Sequence, residues 1–85
     1  MTFEQLEDYI SMRNEIEFTY HGKKYSITYL YPDSDEENVY ISFCEFYKET
    51  TEVKTASELW NNVSRDGITV GEMLSLVKEK DIYIF

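Results

Sequence analysis

The chain has 85 residues, 42% of them hydrophobic and 16% aromatic, enough for one modest core and too little for two lobes around a cleft. Seventeen acids against eight bases give a net charge of -9, a field that repels phosphate backbones and anionic lipid and so argues against direct nucleic-acid or membrane-surface binding. No stretch approaches the roughly 20 apolar residues of a membrane span, the N-terminus lacks a signal-like basic and apolar run, and a single cysteine excludes an internal disulfide; a reduced, cytoplasmic, unprocessed chain forming one domain over 1–85 is expected.

In chain order, Thr2 followed by Gln5 is a capping pair, in which the hydroxyl and the amide three residues later satisfy free helix N–H groups. Phe3, Leu6 and Ile10 follow at helical spacing, predicting a first helix with one apolar stripe. The period then changes to two. Ile16, Phe18 and Tyr20 alternate with Glu15, Glu17 and Thr19, and Tyr25, Ile27, Tyr29 and Tyr31 alternate with Ser26, Thr28 and Leu30, predicting two strands. A two-residue turn at His21-Gly22 would pair Phe18 with Tyr25 and Ile16 with Ile27; a four-residue loop keeps the same parity, so the turn type is open.

The acidic run from Pro32 to Asn38 is read as the connection to a third strand within "NVYISFCEFYK". The facing of that strand is ambiguous, because Val39, Ile41 and Phe43 suit one side and Tyr40, Cys44 and Phe46 the other; a bulge near Cys44 or burial on both faces would reconcile them. Thr55 with Glu58 and Thr69 with Glu72 repeat the capping device before Ala56, Leu59, Trp60 and Val63, and before Val70, Met73, Leu74 and Val77. Gly67 is read as the stop of the second helix. The terminal "DIYIF" reads as a short strand or a packed tail. The expected fold is α+β: an N-terminal helix, a three-stranded antiparallel meander, and two C-terminal helices packed on the sheet face of Ile16, Phe18, Tyr25 and Ile27, with Trp60 and Leu74 facing that core.

Asp33, Asp35 and Glu37 have the spacing that opens a calcium-binding EF-hand loop. Asn38 stands where that loop needs glycine, and Cys44 where it needs a bidentate glutamate. His21 sits in a turn with no nucleophile beside it, and Cys44 has acidic and aromatic neighbours rather than the cationic ones that activate a thiol. No phosphate-loop, dinucleotide, CxxC or HExxH motif occurs, so no catalytic residue, metal ligand or cofactor is expected and the chain is not read as an enzyme. The expected contact residues are Glu15, Glu17, Asp33, Asp35, Glu36 and Glu37, presented to a basic protein partner, in the sharper form as a mimic of phosphate that inhibits a nucleic-acid-binding protein. Two alternatives differ in class: a homo-oligomeric module using Tyr20, Tyr25, Tyr29, Tyr31 and Tyr40 as a sticky sheet face, and a small carboxylate enzyme or metal-binding domain.

The strings "EIEFTYHGKKYSI", "CEFYKE" and "SELW…DGITVGEML" resemble a family of short acidic proteins of low-GC Gram-positive bacteria and their mobile elements. The resemblance runs over most of the chain, implies the same strand, turn and capped-helix architecture, and brings no active-site residue with it. In size, charge and α/β content the chain is also similar to small phage-encoded inhibitors, including some anti-CRISPR proteins.

Overall fold

The computed structural model describes residues 1–34 and 37–85. Helix α1 (Phe3–Ser11) begins where Thr2 accepts the Gln5 N–H and the Gln5 side chain accepts the Thr2 N–H, closing the expected capping box. Strands β1 (Ile16–Tyr20) and β2 (Lys23–Leu30) form a hairpin closed by His21 and Gly22 alone. Both turn residues have positive φ, 50° and 78°, the type I′ geometry whose twist matches that of paired strands. The register is Phe18 with Tyr25 and Ile16 with Ile27, which places both apolar rows on one side.

Strand β3 (Tyr40–Glu45) pairs with β2 and carries Ile41 and Phe43 inward beside Tyr29 and Ile27. The ambiguity in its facing resolves without a bulge inside the strand. Ser42 and Cys44 face outward, and the strand ends at Glu45, beyond which Tyr47 adopts φ 68° and turns the chain back. Here the sequence expectation falls short: Thr50–Val53 form a further strand, β4, on the free side of β3.

Helix α2 (Ala56–Asn62) is capped by Thr55, with Glu58 reaching the Thr55 hydroxyl. Gly67 does not stop this helix. The helix gives way at Val63, which is extended and buried, and a miniature hairpin follows, β5 (Ser64–Arg65) and β6 (Ile68–Thr69). Asp66 and Gly67, at φ 55° and 82°, make its type I′ turn. Thr69 then caps helix α3 (Val70–Leu76) with a complete box to Glu72. After a 3-10 turn over Glu79–Asp81, strand β7 (Ile82–Ile84) returns to the sheet.

The fold is therefore α+β, the described residues forming three helices and a five-stranded antiparallel sheet in the order β4-β3-β2-β1-β7. The expected meander is its centre, widened by β4 on one side and by β7 on the other. One core joins Leu6, Ile10, Leu59, Val63, Val70, Met73 and Leu74 of the helix layer to Ile16, Phe18, Tyr25, Ile27, Ile41 and Phe43 of the sheet. Each large side chain buried there contributes about 1.5–3 kcal/mol relative to exposure. Leu74 faces the core as expected. Trp60 does not reach its centre: it is partly exposed, set edge-on to Phe3 at 5.7 Å and laid over Gly71. Among the described residues no helix is long and apolar enough to cross a membrane.

Candidate interaction surface

Strand alternation divides the sheet into two chemically different faces. The inner face is covered by helices. The outer face carries Tyr83, Glu17, Ser26, Cys44 and Thr50 in one cross-strand row and Thr28, Ser42 and Glu52 in the next. Ser42 is only 4% exposed, and the Ser26 hydroxyl lies 3.3 Å from the Cys44 sulfur, so the middle of this face is a close-packed polar surface. Cys44 is a free thiol engaged in that packing.

Glu17 stands half-buried on the outer face between Ser26 and Tyr83, and Glu15 is exposed just before β1, its carbonyl accepting the Phe85 N–H at 2.8 Å. Asp33 is exposed in the β2–β3 connection. There it accepts from Asn38 at 3.2 Å, and Asn38 in turn accepts from Lys54 at 2.6 Å, which ties the connection to the end of β4. Glu37 is also exposed in this connection. Asp35 and Glu36 lie outside the described residues. The fold thus sets Glu15 and the acidic connection toward the same end of the sheet, where β2 leaves and β1 enters, separated laterally by the width of β1 and β2.

The opposite end gathers three turns. Lys23, from the start of β2, meets Asp66 of the β5–β6 turn at 2.6 Å, beside Glu45, Lys48, Glu49 and Arg65. Arg65 donates to the Thr51 hydroxyl at 2.7 Å and lies over the Phe43 ring at 5.2 Å. The hydrogen bond and charge of Lys23 hold the Asp66 carboxyl below its ordinary range, and Asp66 raises Lys23 in return. Both groups are solvent-exposed, so the pair contributes little to folding. His21 stacks on Tyr20 at 4.1 Å and is a turn residue, as its position beside Gly22 suggests.

The tyrosines of the hairpin point mostly inward. Tyr25 is buried and stacked on Phe18 and Phe43, and Tyr29 donates its hydroxyl to the Asn14 carbonyl at 2.7 Å. They serve the core rather than an exposed aromatic face; on the outer side only Tyr40 of this group sits within a strand, beneath the Lys54 ammonium at 4.0 Å. Burial pushes the Tyr29 phenol up to about 12 and raises Tyr25 as well. A proton held more tightly in the folded state gives stability that is complete below the ordinary value of 10.0 and is lost as pH climbs from there toward about 12. The thermal midpoint should accordingly fall above pH 10, and Tyr29→Phe should flatten part of that decline while lowering the neutral-pH stability by about 0.5–1.5 kcal/mol for the lost hydrogen bond. An alkaline slope identical in the variant would show that Tyr29 is not its source.

Sequence reasoning missed the surface at the β7 edge, where Tyr83, Ile84 and Phe85 are 57%, 37% and 63% exposed. The alternation in "DIYIF" marks a strand, but nothing local says which edge it joins. Among the described residues no group of three or more His, Cys, Asp or Glu side chains is arranged to hold a metal ion. Fold and surface together define a small two-layer α+β domain with one open, acid-bearing sheet face. No protein-family model, curated protein or solved structure matches the chain.

Proposed function

We propose that this chain is a non-enzymatic interaction module whose acidic surface meets a basic protein partner, with inhibition of a nucleic-acid-binding protein by charge mimicry as its sharper form. The supporting observation is how the cations are used. Arg13 donates to the Ile10 carbonyl and lies over Tyr29, Lys54 engages Asn38 and the Tyr40 ring, and Arg65 engages Thr51 and the Phe43 ring. Lys23 with Asp66 is the one ion pair between described residues of a chain that holds 17 acids. Carbonyl, amide and hydroxyl oxygens and aromatic rings thus engage three of the eight cations, Arg13, Lys54 and Arg65, so those three are directed at neutral groups rather than at carboxylates. The excess of acids supplies a negative field for steering a basic surface at rates that fall with salt. The similarity in size and charge to small phage-encoded inhibitors points the same way.

The test is affinity capture from the native host at two salt concentrations, using the native chain and a variant with Asp33→Asn, Asp35→Asn, Glu36→Gln and Glu37→Gln. Basic proteins should be retained at low salt, released at high salt, and bound more weakly by the variant. Retention that ignores both salt and the four substitutions would remove the basis for this reading.

A further inference from the structure

The two edges of the sheet are not alike. Strand β4 is bracketed by Lys48, Glu49 and Lys54 and carries Glu52 within it, and Arg65 closes over Thr51, the charged and covered design that discourages added strands. Strand β7 (Ile82–Ile84) has charged side chains only before it, at Lys78, Glu79, Lys80 and Asp81, and none among Ile82–Phe85. Its ladder to β1 includes the Phe85 N–H donated to Glu15, and hydrogen-bonded pairs alternate along an antiparallel ladder. Tyr83 and Phe85 therefore direct their backbone groups at β1, while Ile82 and Ile84 direct theirs away from the sheet. The Ile82 N–H is taken by the Glu79 carbonyl, which leaves the Ile82 carbonyl and both polar groups of Ile84 on the outward side.

Beside this edge, on the helix side, runs a groove of about 260 Å³ lined by Met1, Gln5, Tyr9, Glu79, Ile82 and Ile84. Met12, 65% exposed, extends the same side of α1. On the outer side stand Tyr83 and, one strand further in, Glu17. The charge here is mainly negative: α1, the approach to β1, β1 itself and residues 78–85 hold Glu4, Glu7, Asp8, Glu15, Glu17, Glu79 and Asp81 against Arg13, Lys78, Lys80 and the Met1 ammonium, which is taken up by the Leu74 carbonyl at 2.8 Å. Arg13 is occupied on the β2 side with Ile10 and Tyr29.

We infer that β7 is a strand-addition site for an extended segment of a basic partner, one that alternates apolar with Lys or Arg side chains. The backbone of the segment pairs with Ile82 and Ile84. Its apolar row enters the groove between α1 and β7, and its cations fall on the outer side over Tyr83 and toward Glu17, where a ring face and a carboxylate both favour them. The inference rests on the acidic-module reading and supplies the place where a partner docks.

The probe is an acetylated, amidated nonapeptide alternating Val with Lys, titrated into the intact chain by calorimetry and by amide NMR. Shifts should concentrate at residues 82–85 and at Gln5 and Tyr9, and affinity should fall as salt rises. Methylating the peptide nitrogens that face β7 should weaken binding at least about tenfold, since it removes the donors to both the Ile82 and Ile84 carbonyls, and Ile84→Pro should weaken it about three- to tenfold, since it removes the single Ile84 N–H. Tyr83→Ser should weaken it about threefold through loss of the cation–π contact. A Val-Glu peptide should not bind. Equal binding of the methylated or the Val-Glu peptide, or shifts centred elsewhere, would overturn the site. A concentration-dependent dimer abolished by Ile84→Pro would overturn it in favour of a second copy of this chain. Salt-sensitive capture of basic proteins that survives Ile84→Pro but is lost on neutralising the acidic connection would leave the acidic-module reading standing and sink the edge site alone.

Discussion

Phe43→Ala is expected to lower the unfolding free energy by about 3–5 kcal/mol, the usual range for truncating a fully buried aromatic residue. Phe43 has no exposed surface. It stacks on Tyr25 at 5.5 Å and on Phe18 at 6.3 Å, so three rings from three adjacent strands form one layer under the helices. Arg65 lies over the same ring at 5.2 Å, which also ties the β5–β6 hairpin to the sheet. Truncation leaves a cavity that flanking rings held by strand pairing cannot fill. Against the total of about 5–15 kcal/mol typical of small domains, the variant would lose a large part of its stability. Urea unfolding followed by tryptophan fluorescence checks this; an unshifted midpoint would mean that the ring layer is not what holds the sheet to its helices.

The second large effect is a change of sign at Gly71. A Cβ at this position would lie 2.6 Å from Nε1 of Trp60 and 2.7 Å from Cδ1 and Cε2, closer than real Cβ atoms come. Alanine ordinarily stabilises a helix over glycine, by about 0.8–1 kcal/mol in an interior and by less in the first turn, where Gly71 sits. Here the indole must move, and Phe3 on its edge limits where it can go, so Gly71→Ala should destabilise by about 1–3 kcal/mol as other overpacked substitutions do. In a Trp60→Ala background the obstruction is gone, and the same substitution should become neutral or stabilising. The full cycle of four proteins, measured by denaturant unfolding with circular dichroism, isolates the coupling. Additive effects in the two backgrounds would show that Trp60 does not occupy the space above Gly71.

The Trp60–Gly71 contact also marks where reasoning from sequence stops. Trp60 falls on the helical period of Leu59 and Val63, and its size suggests a core position. Its actual role is to cover a seam between α2 and α3, because Gly71 leaves a flat place there for an indole. Thr50–Val53 was invisible for a related reason. Thr50, Thr51 and Val53 each favour a strand, but four residues with no row of large apolar side chains are too short a run to mark one, and they become a strand because β3 offers an unpaired edge. Gly67 followed by helix-capping chemistry read as a helix stop, whereas the burial of Val63 ended α2 earlier and left Asp66-Gly67 free to form a turn.

For the acidic surface, the charges themselves are plain in the sequence, and so is the outward facing of Glu15 and Glu17, since period-two alternation around Ile16 and Phe18 requires it. What the sequence by itself determined is what is encoded over a few residues: the three threonine caps and the side-chain parity across the β1–β2 turn, while the two-residue turn, and with it the register of Ile16 and Phe18 with Ile27 and Tyr25, came with the structure. Those signals are local because hydrogen-bond geometry and side-chain alternation act over two to four positions. Only the tertiary structure decided that β7 joins the free side of β1, beside the groove under α1, and that the other edge is guarded by charge. Sheet order is set by which distant segments bury apolar surface together, and no spacing within one segment records it.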